Sequence, residues 1–148
     1  MLKVVTNSSP LICLAKIGHL DLLKYFFDEI IVPEAVYNEC VTEGKDKEDA
    51  KEIEKAEWIK VATIRDKNLK KALTIFLDEG EAEAIVLALE ESADFILLDD
   101  YEAREIARNY GLNITGINRS FNKSEIQGKN SKFKRCVRET KRNWILAK

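Results

Sequence analysis

Val4, Val5 and Thr6 form an uninterrupted β-branched run near the start of the chain, and Ser9-Pro10 brings it to a corner. A strand with no polar interruption reads as buried on both faces, as a central parallel strand is when helices cover the sheet on either side. Proline has no amide hydrogen to lose at a helix start, so Ser9 and Pro10 read as N-cap and N1 of the next helix. Asn7 then falls at the carboxyl end of a central strand. That is the crevice where open α/β sheets place their ligands.

The remainder repeats the same alternation. Ile30-Ile31-Val32 reads as a second buried strand, with Pro33 at N1 of a helix over residues 33–43. Residues 58–61, 95–98 and 112–115 read as three further short strands. A strong helix spans 77–90, and another is closed by Gly111. Residues 43–57 read as a solvated, charged helix, and 69–76 as a looser stretch. Alternation of this kind through residue 116 predicts a parallel sheet covered on both faces.

At 148 residues the chain has room for one domain with a real core. No apolar run approaches the ~20 residues of a membrane span, and Met1-Leu2-Lys3 does not open a signal peptide. Cys13, Cys40 and Cys136 lack any C-x-x-C spacing and read as reduced thiols of a cytoplasmic protein. The lone His19 cannot serve a Ser-His-Asp or Cys-His arrangement, and no glycine-rich phosphate loop is present.

What remains is carboxylates. Projected at 100° per residue, Glu39 lies at the margin of its helix's apolar stripe. On the 77–90 helix, Glu79, Glu83 and Glu90 project to a solvent face. Glu81 projects roughly opposite, flanked by Ile85 and Ala88. Glu81 therefore either caps the first turn or needs a partner, because an unpaired buried carboxylate is costly. The 95–98 strand ends in Asp99-Asp100; one aspartate suffices as the next helix's N-cap, and the second exceeds that need. Asn7, Glu39, Glu81 and Asp99 or Asp100 can thus converge at the carboxyl ends of parallel strands. Like charges held together raise one another's pKa. An all-oxygen set of this kind suits Mg²⁺ or Mn²⁺, which would serve phosphodiester hydrolysis without a protein nucleophile.

These motifs resemble the PIN-domain family, in the subgroup that opens on an N/D-[ST]-S-P-L-I corner. The resemblance rests on NSSPLICLAKIGHLDLL, IIVPEAVYNEC, DEGEAEAIVLALE and ILLDDYEAREIARNYGLNITG, in order over residues 3–117. It implies a Rossmann-like α/β/α sandwich, a Mg²⁺- or Mn²⁺-dependent ribonuclease acting on RNA, a homodimer, and a toxin role with an antitoxin protein partner. The family's acidic positions fall on Asn7, Glu39, Glu81 and Asp99, with Asp100 as an alternate, and its hydroxyl position falls on Ser8 or Ser9. The first of these positions is usually Asp. An amide there binds a cation without contributing charge, which leaves a catalytically weakened module that holds RNA or protein as the alternative function.

The sequence divides into a PIN-like domain at 1–117 and a basic tail at 118–148. From Asn118 onward there are ten Lys/Arg against two acids, leaving 14 Lys/Arg against 24 acids in residues 1–117. The tail reads either as an arm that grips RNA phosphates or as the product of a shifted reading frame, since hydrophobic periodicity is lost where the charge changes.

Overall fold

The computed structural model describes residues 1–44 and 47–115. Five parallel strands make one sheet: β1 (Lys3–Thr6), β2 (Glu29–Pro33), β3 (Ile59–Ala62), β4 (Phe95–Leu97) and β5 (Ile114–Thr115), in the order β3-β2-β1-β4-β5. Among the described residues there are seven α-helices, α1 (Ser8–Lys16), α2 (Leu22–Phe26), α3 (Glu34–Tyr37), α4 (Glu48–Lys55), α5 (Lys67–Leu73), α6 (Glu79–Glu90) and α7 (Tyr101–Asn109). A π turn, Asn38–Thr42, extends α3. The fold is therefore the expected three-layer α/β/α sandwich.

The period of two along each strand divides the core. Val4, Ile30, Val32 and Leu97 face the layer that includes Leu14, Leu23, Val36 and Ile53. Val5, Ile31, Ile96 and Leu98 face the layer of α6 and α7, with Ile85, Leu87 and Ala103. Val4 and Val5 are both fully buried, which is why this run tolerates no polar residue. β1 pairs with β2 on one side and β4 on the other, so the chain winds away from β1 in opposite directions. The gap between the carboxyl ends of β1 and β4 is the topological switch point, and it opens at Asn7.

Several local expectations are corrected. The first helix starts at Ser8 with Asn7 as its N-cap residue, placing Pro10 at N3. Its missing amide hydrogen still costs nothing, since the first four donors of a helix have no partner within it. Pro33 ends β2 as the N-cap of α3 and is not its first helical residue. The stretch 69–76 is not loose throughout: α5 occupies its first half, capped by Asp66 through the Leu69 amide at 3.0 Å. Cys40 is free and buried, and Cys136 lies outside the described residues. Among the described residues no helix is long and apolar enough to cross a membrane. The tail 118–148 lies outside the described residues.

Candidate metal centre at the switch point

The corner Asn7-Ser8-Ser9 is the hub of the site. Asn7 is 4% exposed, and among the described residues its Oδ1 is the one buried side-chain oxygen or nitrogen without a hydrogen-bond partner. The sequence accounts for part of this. An N-cap asparagine ordinarily accepts from the N2 or N3 amide; N3 here is Pro10, which has none, and the Ser9 amide at N2 is not used. The side chain makes no capping bond, while its backbone is fixed by the Asn7 amide donating to Leu97 O at 3.1 Å. A buried carbonyl oxygen at the mouth of the crevice is left open to a ligand.

Glu39 approaches from the π turn. This single wide turn shifts the register of the 33–43 segment, a distortion frequent at functional sites. The Ser8 hydroxyl donates to Glu39 Oε2 at 2.8 Å. Behind the carboxylate lies Gly80 in the first turn of α6. A Cβ at that position would collide with Glu39 Oε1 and stand 3.2 Å from Cδ. Only glycine allows the carboxylate to rest against the helix. Burial pushes the Glu39 carboxyl above its ordinary range; the Ser8 hydrogen bond opposes this, and the charges of Asp78, Glu43 and Glu79 add to it.

Glu81 performs both of the roles that its projection left open. It closes a capping box with Asp78: the Glu81 amide donates to Asp78 Oδ1 at 2.8 Å, and the Asp78 amide donates to Glu81 Oε1 at 3.2 Å. It is also only 9% exposed. Burial first, then the charges of Asp78, Asp100 and Asp99, raise its carboxyl to about 8, against the Asp78 amide bond that lowers it.

The two aspartates separate cleanly. Asp100 is the N-cap of α7, its Oδ2 accepting from the Ala103 amide at 2.9 Å. Asp99 is therefore the residue with no capping duty. Its carboxyl is raised by burial and by Asp100, and pulled back by its own backbone amide, by the Ser9 hydroxyl and by Arg104. Ser8 thus serves Glu39, and the Ser9 hydroxyl eases the burial of Asp99.

Two residues of the site escaped sequence reading. Glu83, expected on the solvent face, is 7% exposed; its Oε1 accepts from the Ala35 amide at 3.2 Å and its Oε2 from Lys70 Nζ at 2.5 Å. It ties α3, whose extension carries Glu39, to α6, which carries Glu81. The projection failed because α6 is buried nearly all round, leaving only a narrow solvent edge at Glu79. Arg104 is 5% exposed, with Nε donating to Leu98 O at 2.7 Å. Its position between Ala103 and Ala107 on the apolar side of α7 was the available signal.

Among the described residues no three carboxylate, histidine or cysteine side chains are already gathered around one ion position. Two of the carboxylates are turned to internal partners, Glu39 to Ser8 and Glu81 to the Asp78 amide. The donor chemistry nonetheless fits a hard divalent cation. It offers an unpartnered buried carbonyl oxygen, three carboxylates that like charge and burial hold above their ordinary range, and no sulfur or imidazole ligand.

A parallel β3-β2-β1-β4-β5 sheet with acids at its switch point defines a Rossmann-like α/β/α fold of the nuclease type. The family model for DUF3368, a PIN domain, matches residues 3–143, and the chain belongs to the PIN-domain family. The match runs past residue 117. Among solved structures, a domain of a functionally unknown protein from Methanocaldococcus jannaschii DSM 2661 superposes with a TM-score of 0.50 at 22% identity, covering 79% of this chain and 91% of that one. A likeness at that identity bears on the fold alone. No curated protein matched the chain.

Proposed function

We propose that this PIN-domain protein is a metal-dependent endoribonuclease that hydrolyses RNA phosphodiester bonds. The observation that carries the reading is the buried, unpartnered Asn7 Oδ1 at the switch point, together with the raised carboxyls of Glu39, Glu81 and Asp99. Asn7, Glu39, Glu81 and Asp99 would hold Mg²⁺ or Mn²⁺, and a divalent ion there supplies an activated water and charge neutralisation at the departing oxygen. The chain's own contribution is placement. The Ser8 hydroxyl holds Glu39, and Gly80 lets that carboxylate come close to α6. Glu81, whose carboxyl is raised to about 8 without metal, would give up its proton as the ion binds. The cytoplasm, where such a substrate is met, is the compartment this reading assigns.

The test is cleavage of a labelled RNA with Mn²⁺ against EDTA, on wild type and Asp99→Ala. Cleavage that needs the metal and is lost in the variant is the expected result. RNA bound but never cut, at any metal concentration, would instead support the second reading, a weakened RNA- or protein-binding module. The observation behind that reading is the uncharged amide of Asn7. The toxin role, antitoxin partner and homodimer implied by the resemblance have no feature of the fold behind them and form no part of this proposal.

A further inference from the structure

A second cleft, of about 540 Å³, runs between α5 and α6 beside the acidic crevice, lined by Thr63, Lys67, Lys70, Lys71, Thr74 and Glu79 among others. We propose that the α5 rim of this cleft, with Lys67, Lys71 and Phe76, is a docking lip for single-stranded RNA. The choice of RNA as the polyanion rests on the ribonuclease reading above.

Charge is the first support. Residues 1–117 carry a large excess of acids, yet residues 65–71 hold four cations against one acid. Two of the four are committed. Lys70 Nζ is held by Glu79 at 3.0 Å and Glu83 at 2.5 Å, and Arg65 lies 3.9 Å from Glu90. Lys67 and Lys71 are exposed and make no ion pair among the described residues. At i and i+4 they project from one side of α5, about 5–6 Å apart at Cβ, so both reach one short stretch of backbone. The wall behind them is acidic, with Glu34, Glu79 and Glu83, which confines a polyanion to the rim.

Exposure is the second. Ile75 and Phe76 follow α5 with 76% and 64% of their surface in water, although both are large and apolar. Phe76 stands five residues after Lys71, and an exposed aromatic on the same segment as unpaired lysines is a combination that binds single strands, the ring stacking on a base while the cations follow the phosphates. An acidic peptide would satisfy the lysines and leave the ring unused. The third support is continuity. Glu79 lines the cleft, its charge reaches Glu39, and its neighbour Gly80 lies directly beneath the Glu39 carboxylate. A strand laid along α5 enters the crevice from this side.

The test is fluorescence anisotropy of a labelled single-stranded RNA of about 12 nucleotides, run in EDTA so that binding is read without cleavage. For Lys67→Ala/Lys71→Ala, Kd is expected to rise about tenfold at low salt, and the slope of log K against log salt to fall by about 1.4 for two lost phosphate contacts. For Phe76→Ala, Kd is expected to rise about tenfold with the salt slope unchanged. All three positions are exposed, so circular dichroism should be unaltered. Wild-type affinity and slope in both variants would overturn the lip while leaving the ribonuclease reading intact. Lip-dependent binding without Mn²⁺-dependent cleavage would uphold the lip and remove the ribonuclease. Displacement of the RNA by poly-glutamate at equal charge concentration would assign the surface to an acidic protein and overturn the proposal, as would failure of the wild type to bind RNA at all.

Discussion

Gly80→Ala should separate function from stability. The added methyl collides with Glu39 Oε1 and presses on Cδ at 3.2 Å and Oε2 at 3.4 Å. All three atoms belong to the end of a flexible side chain, so the cheap response is for Glu39 to swing away while α6 stays in place. Restoring an ordinary contact of about 3.5 Å requires a withdrawal of roughly 1 Å. On the stability side, alanine in place of glycine in a helix contributes up to about 1 kcal/mol. Loss of the 2.8 Å Ser8–Glu39 bond costs about 1.5 kcal/mol, partly offset as the raised Glu39 carboxylate regains water. The net change in unfolding free energy should lie within about 1 kcal/mol of zero. On the functional side, a catalytic group misplaced by 1 Å lowers the rate by about 100-fold. Urea unfolding should therefore give nearly coincident curves for the two proteins, while RNA cleavage at saturating Mn²⁺ falls by about two orders of magnitude. Unimpaired cleavage in a folded Gly80→Ala protein would show that Glu39's position against α6 does not matter to the chemistry. A loss of several kcal/mol would show that the helix, and not the carboxylate, is what gives way.

Other expectations follow from the same geometry. Asp100→Asn should keep the α7 cap, since asparagine caps as well as aspartate, whereas Asp99→Asn should abolish Mn²⁺ binding by calorimetry at unchanged or higher stability. Asn7→Asp should tighten Mn²⁺ binding while lowering the melting temperature of the metal-free protein, because it adds a charge at a position only 4% exposed; weaker binding would remove Asn7 from the site. The Glu81 carboxyl sits near 8 folded against about 4.5 in a free chain, so between those values the folded state holds more protons than the unfolded one. Metal-free stability should therefore fall as pH rises from about 4.5 to 8 and level off above, with Mn²⁺ flattening the decline; a flat metal-free profile would refute the burial of Glu81. Glu83→Ala should cost about 3 kcal/mol in urea unfolding, since it strands the Ala35 amide and Lys70 together, and Glu83→Gln should cost less.

The sequence was most legible where one periodicity acted alone. Val4-Val5-Thr6 had no polar residue to confuse its reading, and the all-parallel sheet followed from it. Boundaries failed where two signals competed. Ser9-Pro10 carried a strong N-cap and N1 signature, yet the helix begins at Ser8 because the Asn7 amide is already bound to Leu97 O and fixes the corner earlier. The solvent face assigned to α6 failed at Glu83 because amphipathicity presumes one wet side, and nearly every residue of α6 is covered. The π turn at Glu39 has no sequence signature at all. Its consequence, a carboxylate against Gly80, was invisible until α3 and α6 were placed side by side.

Of the polar groups at the switch point, two stand at helix starts without capping them. Asn7 occupies an N-cap position without capping. Asp99 is spared capping by its neighbour Asp100. Glu81 does close a capping box, but that bond is made at the surface of most helices that use it and does not require a carboxyl raised to about 8. Burial of such groups costs stability in the absence of a ligand. Asn7 follows β1 and Asp99 follows β4, so two of them stand at neighbouring strand ends, with Ser8 donating to Glu39 beside Asn7; this placement is what supports the proposed cation site.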